Sequence, residues 1–374
     1  DRTVSRGLGD VYKRQEFFLT VDRRQPSEDR RQALDRVTFA EGLGSLLDRS
    51  ERISWVMDQL VEALNINNTL AGHARRAAHL CKHDLVSQMV GEFPELQGLM
   101  GGKYLLEEGE PREVALAVAE HYQPAGAGEA PPSSDAGALL ALAERLELLF
   151  SIFAKGERPT GSSDPYALRR AGNGIVQILW DRGWRLPLQT LFSQAASHWA
   201  ERFPAFQVEA TSLADDLGQL LRQRMVSQFE EDGFPIDLVQ AVSGEGVTNE
   251  RLLQDPVDAR ERLLLLRQLR VNGQLQAVQA VVQRAARLAE KGDLPATQLT
   301  PAEVVDAGLF DSPSEAGLMA ALESLSPLAE ACDYGGLATG LQAAAVALEA
   351  FFDGEQSVIC LLYTSDAADE IVRV

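Results

Sequence analysis

Apolar side chains recur at three- and four-residue intervals along most of this chain, and that spacing commits it to helices. Ile53, Val56, Leu60 and Leu64 make one stripe, Ala77, Leu80, Leu85 and Val90 a second, and Val114 to Val118 a third. Residues so spaced share one face of a helix at about 100° per residue, so each stripe needs a partner to cover it. Aromatic residues are only 6% of the chain, while Ala, Leu, Glu, Gln and Arg dominate long stretches, as in helices packed through aliphatic side chains. The expected fold class is all-α. At 374 residues, 45% of them apolar, the chain has room for two or three domains with real cores. Glu144, Arg145 and Glu147 interrupt the richest apolar stretch, Leu139 to Phe153. No run is therefore expected to reach the roughly 20 residues that span a bilayer, and no membrane partner is expected. Cys81, Cys332 and Cys360 show no pairing pattern and no apolar leader precedes them, which points to a reducing, cytoplasmic setting.

A formal charge of −20 counts against a nucleic-acid partner, because phosphate contacts carry most of the affinity for such ligands. A large acidic protein can still hold RNA through a local basic face, so the case rests on where the arginines cluster.

The two ends lack the helical period and share a hidden relationship. Asp10 to Gln15 (DVYKRQ) can be encoded by GATGTGTATAAGAGACAG, whose opposite strand, read one base in, gives Cys-Leu-Leu-Tyr-Thr and the start of a Ser codon, matching Cys360 to Ser365. Such an inverted repeat is what transposase-based sequencing adapters leave. The expectation is that residues 1–15 and 360–374 are adapter-derived, and that residues 16–359 are a piece of a longer gene.

Between the ends, Leu34, Val37, Leu43 and Leu46 around Gly42 and Gly44 predict a broken amphipathic helix over Glu28 to Leu47. Several helices follow over 51–122. Gln123 to Asp135 (QPAGAGEAPPSSD) and Lys155 to Pro165 (KGERPTGSSDP) read as loops. They bracket a helix from Ala136 to Phe153, and another runs from Tyr166 to Asp181. A second unit is expected from about Ala210, where Leu213, Leu217, Leu220, Leu221 and Met225 fit a 3.6 period. Pro235 starts a further helix, and Asp258 to Leu269, Gln274 to Glu290, Ala316 to Leu328 and Gly336 to Phe352 complete a bundle.

The segments Glu92 to Gly102 (EFPELQGLMGG), Gly109 to Tyr122 (GEPREVALAVAEHY) and Gly156 to Arg170 (GERPTGSSDPYALRR) together resemble the central signature of glycyl-tRNA synthetase β subunits. Phe234 to Val242 (FPIDLVQAV) and Phe351 to Val358 (FFDGEQSV) are similar to later segments of the same family, in the same order. The resemblance covers nearly all of residues 16–359. It implies a lead-in helical segment at 16–48, a degenerate HD-like helical domain at 49–205, and a truncated helical anticodon-binding domain of DALR-like type at 206–359. It further implies a subunit of glycine–tRNA ligase that holds glycine tRNA and has no activation site or cofactor of its own. ATP and Mg would belong to the partner α subunit in an α2β2 assembly, and no DNA partner is implied.

The residues also allow a catalytic alternative. His79 and His83 are spaced i, i+4, so on one helix both imidazoles share a face, and Asp84 could complete a metal site for an HD-type phosphohydrolase. In the family resembled, Ala commonly stands where His83 does, and Glu144 sits where a further ligand Asp could be. His73 and His121 are the other nearby candidates. The loop Lys155 to Arg170 carries Lys155, Arg158, Arg169 and Arg170 beside Gly156 and Gly161, but the P-loop spacing is absent and no strand precedes it. It is either an interdomain loop capped by Asp164 and Pro165 or a contact for RNA phosphates. Glu92, Glu95 and Gln97 could be acid and base or could fix a turn before Gly98. Arg260, Arg267 and Arg270 lie within about 80° of one another on a helix, and Arg284, Arg287 and Lys291 repeat the arrangement. Two cationic stripes suit a phosphate backbone, although Glu261 and Glu290 could balance them. The resemblance places basic residues at Arg284 and Lys291, and usually Asn at Arg287.

Overall fold

In the computed structural model, residues 14–126, 128–289 and 305–353 are described, and among them the only strands are two short ones. The all-α expectation holds. The first helix, α1 (14–22), includes Arg14 and Gln15. The rest of the adapter reading, at 1–13 and 360–374, lies outside the described residues. Next come α2 (Ser27–Ala33) and a 3-10 turn (Leu34–Arg36). A hairpin of β1 (Thr38–Ala40) and β2 (Gly44–Ser45) then pairs antiparallel. This hairpin replaces the later part of the broken helix expected over Glu28 to Leu47. Gly42 and Gly44 both take φ +79°, a left-handed backbone that turns the chain and cannot continue a helix. Ser45 then opens α3 (Leu46–Ala63) with a reciprocal capping box to Asp48.

The helices α4 (Asn68–Leu80), α5 (Gln88–Glu92), α6 (Leu99–Glu107) and α7 (Arg112–Glu120) lead to α8 (Asp135–Ala154). Ser134 caps α8 by accepting from the Gly137 N–H at 3.0 Å. Leu139, Leu142, Leu146, Leu149 and Phe150 are all fully buried, and so are residues on every other face of α8. A helix apolar all round has to be surrounded. It is: α3, α4, α7, α9 (Leu168–Arg182), α10 (Leu188–Arg202) and α11 (Ala210–Glu231) pack round it. Each large side chain so buried contributes about 1.5–3 kcal/mol of transfer free energy.

The chain forms two compact units that divide between Arg260 and Glu261. The stripe Leu213, Leu217, Leu221 and Met225, expected to begin the second unit, is buried in the first, where α11 packs against α8, α9 and α10. α12 (Ile236–Ser243) and α13 (Asn249–Leu253) also belong to the first unit, and α14 (Pro256–Val271) straddles the division.

In the second unit, α15 (Leu275–Ala289), α16 (Pro313–Glu330) and α17 (Tyr334–Asp353) follow. α16 and α17 pack as a helical hairpin at close range: a Cβ added at Gly340 would sit 2.6 Å from Leu325. Against expectation, one stretch, Tyr334–Phe352, is long and apolar enough by length and composition to cross a membrane, with mean hydropathy 1.3. Its Ala and Gly residues and a single charge, Glu349, raise the average without a run of large side chains. Small residues of this kind equally suit the close packing against α16, so one such helix carries no membrane assignment.

Candidate functional site

All three signature segments meet around one cavity of about 460 Å³ in the first unit, bordered by Gln97, Tyr122, Glu144, Arg145, Tyr166 and Arg170 among others. Each wall has a local cause. Gln97 precedes Gly98, whose φ of +79° and close approach to the Tyr122 ring, 2.9 Å from an added Cβ, leave no room for a side chain. Asp84 pins that turn: its Oδ2 accepts from the N–H groups of Gly98 at 2.6 Å and Gly101 at 3.0 Å. Tyr122 is held from behind by Arg145, whose guanidinium donates to the carbonyls of His121, Tyr122 and Pro124 at 3.2, 3.1 and 2.9 Å. Tyr166 and Arg170 come from the start of α9. There the Asp164 carboxylate accepts from the N–H groups of Leu168 at 2.7 Å and Arg169 at 2.9 Å, which bears out the expected helix cap.

Beneath the cavity lies a buried charge network. Glu144 Oε1 accepts from Lys82 Nζ at 3.0 Å and from Arg49 at 2.8 Å. Glu147 accepts from Arg49 at 2.7 Å, Arg52 at 2.8 Å and the Ser151 hydroxyl at 2.7 Å. Burial works against the Glu144 carboxylate, yet Lys82, Arg49 and Arg145 hold its pKa well below the usual carboxylate range. The Lys82 ammonium is likewise penalised by burial but ends above its ordinary pKa because Glu144 is beside it. His121, buried and facing Lys82, is pushed down to about 3. Four buried cations, Arg49, Arg52, Lys82 and Arg145, therefore face two carboxylates, Glu144 and Glu147. The nearby Asp84 carboxyl is pushed above its ordinary pKa by burial, against the Gly98 and Gly101 N–H groups and Lys82, which favour its charged form.

The histidine alternative does not survive its geometry. α4 ends at Leu80, and Lys82 adopts a left-handed conformation (φ 67°), so His79 and His83 do not share a helix face. His79 Nε2 lies 3.0 Å from Glu28. His83 is fully buried, with Nδ1 accepting from Arg30 Nε at 3.2 Å and Nε2 donating to the Gly101 carbonyl at 3.2 Å. Both of its ring nitrogens are engaged, and burial together with Arg30 pushes its pKa down to about 3. Among the described residues no group of three or more His, Cys, Asp or Glu side chains is placed to hold a metal ion. Of Glu92, Glu95 and Gln97, the cavity lining includes Gln97, beside the turn at Gly98, while Glu92 pairs with Arg14 at 2.8 Å.

The expected cations fare unevenly. Arg158 donates to Asp216 Oδ2 at 2.9 and 2.7 Å and lies 4.2 Å over the Phe153 ring, and Lys155 pairs with Glu157 at 2.7 Å. Arg169 is half-buried near Arg224, whose pKa is lowered first by burial and then by Arg169, and Arg170 is exposed at the cavity rim. Arg260 closes the first unit with its guanidinium 5.3 Å over the Trp180 ring. In the second unit Arg267, Arg270 and Arg287 are exposed, while Arg284 lies 5.1 Å over the Phe352 ring as α15 packs on α17. Lys291 lies outside the described residues. The first stripe is thus shared between two units. Sequence reasoning missed Lys82, Arg49, Tyr122 and Tyr166. The available signal was three charges, Glu144, Arg145 and Glu147, inside the most apolar helix, since charges buried there require partners.

A family model described as "Glycyl-tRNA synthetase beta subunit" matches residues 11–244. The glycine–tRNA ligase β subunit of Acaryochloris marina (strain MBIC 11017) is 42% identical over 360 residues, 94% of this chain and 50% of that protein. The corresponding proteins of Trichodesmium erythraeum (strain IMS101) and Geobacter sulfurreducens (strain ATCC 51573 / DSM 12127 / PCA) are 39% and 36% identical, over 92% and 90% of this chain and 49% and 47% of their own lengths. The chain spans about half the length of the curated relatives it matches. With the model matching most of the first unit and the relatives nearly the whole sequence, the chain belongs to the glycyl-tRNA synthetase β subunit family.

Proposed function

We propose that the chain holds glycine tRNA and positions its acceptor end for ATP-dependent aminoacylation on a separate α subunit, as part of an α2β2 glycine–tRNA ligase in the cytoplasm. The observation that carries this reading is the family match over residues 11–244, together with relatives named glycine–tRNA ligase β subunit across 90% or more of the chain. Its contribution is geometric: holding two reactants in register converts an encounter into an intramolecular step. ATP and Mg act on the α subunit, and this chain supplies no activation site. The exposed Arg267, Arg270 and Arg287 of the second unit are the cations best placed to meet tRNA phosphates. Their removal tests this. Filter retention of glycine tRNA by the full chain should fall steeply with salt, and Arg267→Glu with Arg270→Glu should weaken it at least tenfold and flatten the salt slope. Unchanged retention would remove the second unit from the interface.

A further inference from the structure

We propose that the cavity lined by Gln97, Tyr122, Glu144, Arg145, Tyr166 and Arg170 binds a single unstacked RNA nucleotide whose base carries an exocyclic amine. The proposal rests on the RNA-holding reading and names a site for it in the first unit. At about 460 Å³ the cavity is within the range that accepts a small ligand, and the side chains of Tyr122 and Tyr166 line it. Aromatic side chains are what splayed RNA bases stack on.

Polar groups fix which base and which end. Glu144 borders the cavity, and both of its hydrogen bonds, from Lys82 and Arg49, go to Oε1. Oε2 makes no bond among the described residues and is the acceptor left for an incoming N–H donor. Lys82 and Arg49 keep the group ionised, so it accepts and does not donate. A cytosine or adenine amino group meets that requirement, whereas uracil presents a carbonyl at the equivalent position. Arg145 in the cavity wall and the exposed Arg170 at the rim, which forms no ion pair among the described residues, present positive charge to an anion. A phosphate meets such cations through charge-assisted hydrogen bonds. A ligand with only phosphates would meet Glu144, and a purely cationic ligand would meet Arg145 and Arg170. A nucleotide has the amine, the ring and the anion in one molecule.

Ligand-observed saturation-transfer NMR on the full chain tests this with CMP, UMP and cytidine. The expected result is saturable CMP binding, with UMP about tenfold weaker for want of the amine. Arg170→Ala should weaken CMP about tenfold and leave cytidine unchanged, because the substitution removes a partner of the phosphate alone. Tyr166→Ala should weaken CMP and cytidine alike by about tenfold. Circular dichroism of each variant checks the fold. Absence of CMP binding, equal affinity for CMP and UMP, or CMP binding indifferent to both variants would overturn the proposal. If tRNA retention still depends on Arg267 and Arg270 in that case, this pocket fails while the RNA-holding function stands.

Discussion

Lys82 donates to Glu144 across 3.0 Å from a backbone held in the left-handed region, and the ammonium that makes this bond is buried. Breaking such a pair from one side leaves a buried carboxylate with a single remaining partner, Arg49. Lys82→Met should therefore lower unfolding stability by about 3–5 kcal/mol, whereas Lys155→Met, which breaks the exposed pair with Glu157, should cost far less. Urea denaturation of the full chain measures both. A loss at Lys82 no larger than that at Lys155 would show that the network does not hold the floor of the cavity.

Asp84 separates a structural anchor from a metal ligand. Its Oδ2 receives two backbone N–H groups while Oδ1 is buried without a partner. Asparagine keeps a carbonyl for Gly98 and Gly101 and fills the other position with an amide, so Asp84→Asn should cost no more than about 1 kcal/mol. Alanine strands both donors, and Asp84→Ala should cost about 2–4 kcal/mol. Thermal denaturation of the two variants decides. Equal losses would mean that the carboxylate charge, and not its acceptor geometry, is what the turn needs.

How much of this was legible in the sequence depends on the element. α8 could be read because nothing but helix accommodates Leu139 to Phe153, and Asp164 could be read as a cap because its role is local. The β1–β2 hairpin could not, since its apolar residues also satisfy a helical period and only the positive φ of Gly42 and Gly44 decides between them. The same holds for the supposed His79–His83 face, which one left-handed residue, Lys82, destroys. The cavity was invisible for a different reason. Gln97, Tyr122, Glu144 and Tyr166 are brought together by packing of α7, α8 and α9 around a core, which no spacing rule encodes. An amphipathic stripe announces that α11 is covered without saying by which neighbour, so the unit it packs into was not legible.

Two histidines predict how stability depends on pH. His83 and His121 are neutral in the folded chain, each pushed down to about 3, against about 6.5 when unfolded. The unfolded chain binds more protons between those values, so stability is complete above about pH 6.5 and declines as pH falls, by up to about 1.4 kcal/mol per pH unit for each histidine. Glu144, whose pKa is depressed, adds its own loss only below about 4.5. Denaturation series from pH 7 to 4.5 should show this slope, and His121→Phe should reduce it by about half. An unchanged slope in the variant would mean that His121 is already exchanging protons in the folded state.

Arg158 is engaged on every side by its own neighbours. Its guanidinium gives two hydrogen bonds to one Asp216 oxygen, a third to the Phe153 carbonyl at 2.6 Å, and stacks on the Phe153 ring. A phosphate recruiting it would have to displace Asp216, and beyond roughly 8–10 Å the pair is close to neutral at physiological salt. Arg158→Ala should therefore lower stability by about 1 kcal/mol, since much of the group is exposed, while tRNA retention stays within twofold and its salt slope is unchanged. Arg267→Ala with Arg270→Ala should instead reduce the salt slope of retention by about one for each phosphate no longer neutralised. If Arg158→Ala weakens tRNA as much as the double variant does, the ion pair opens on binding and the loop at 155–165 belongs to the RNA interface after all.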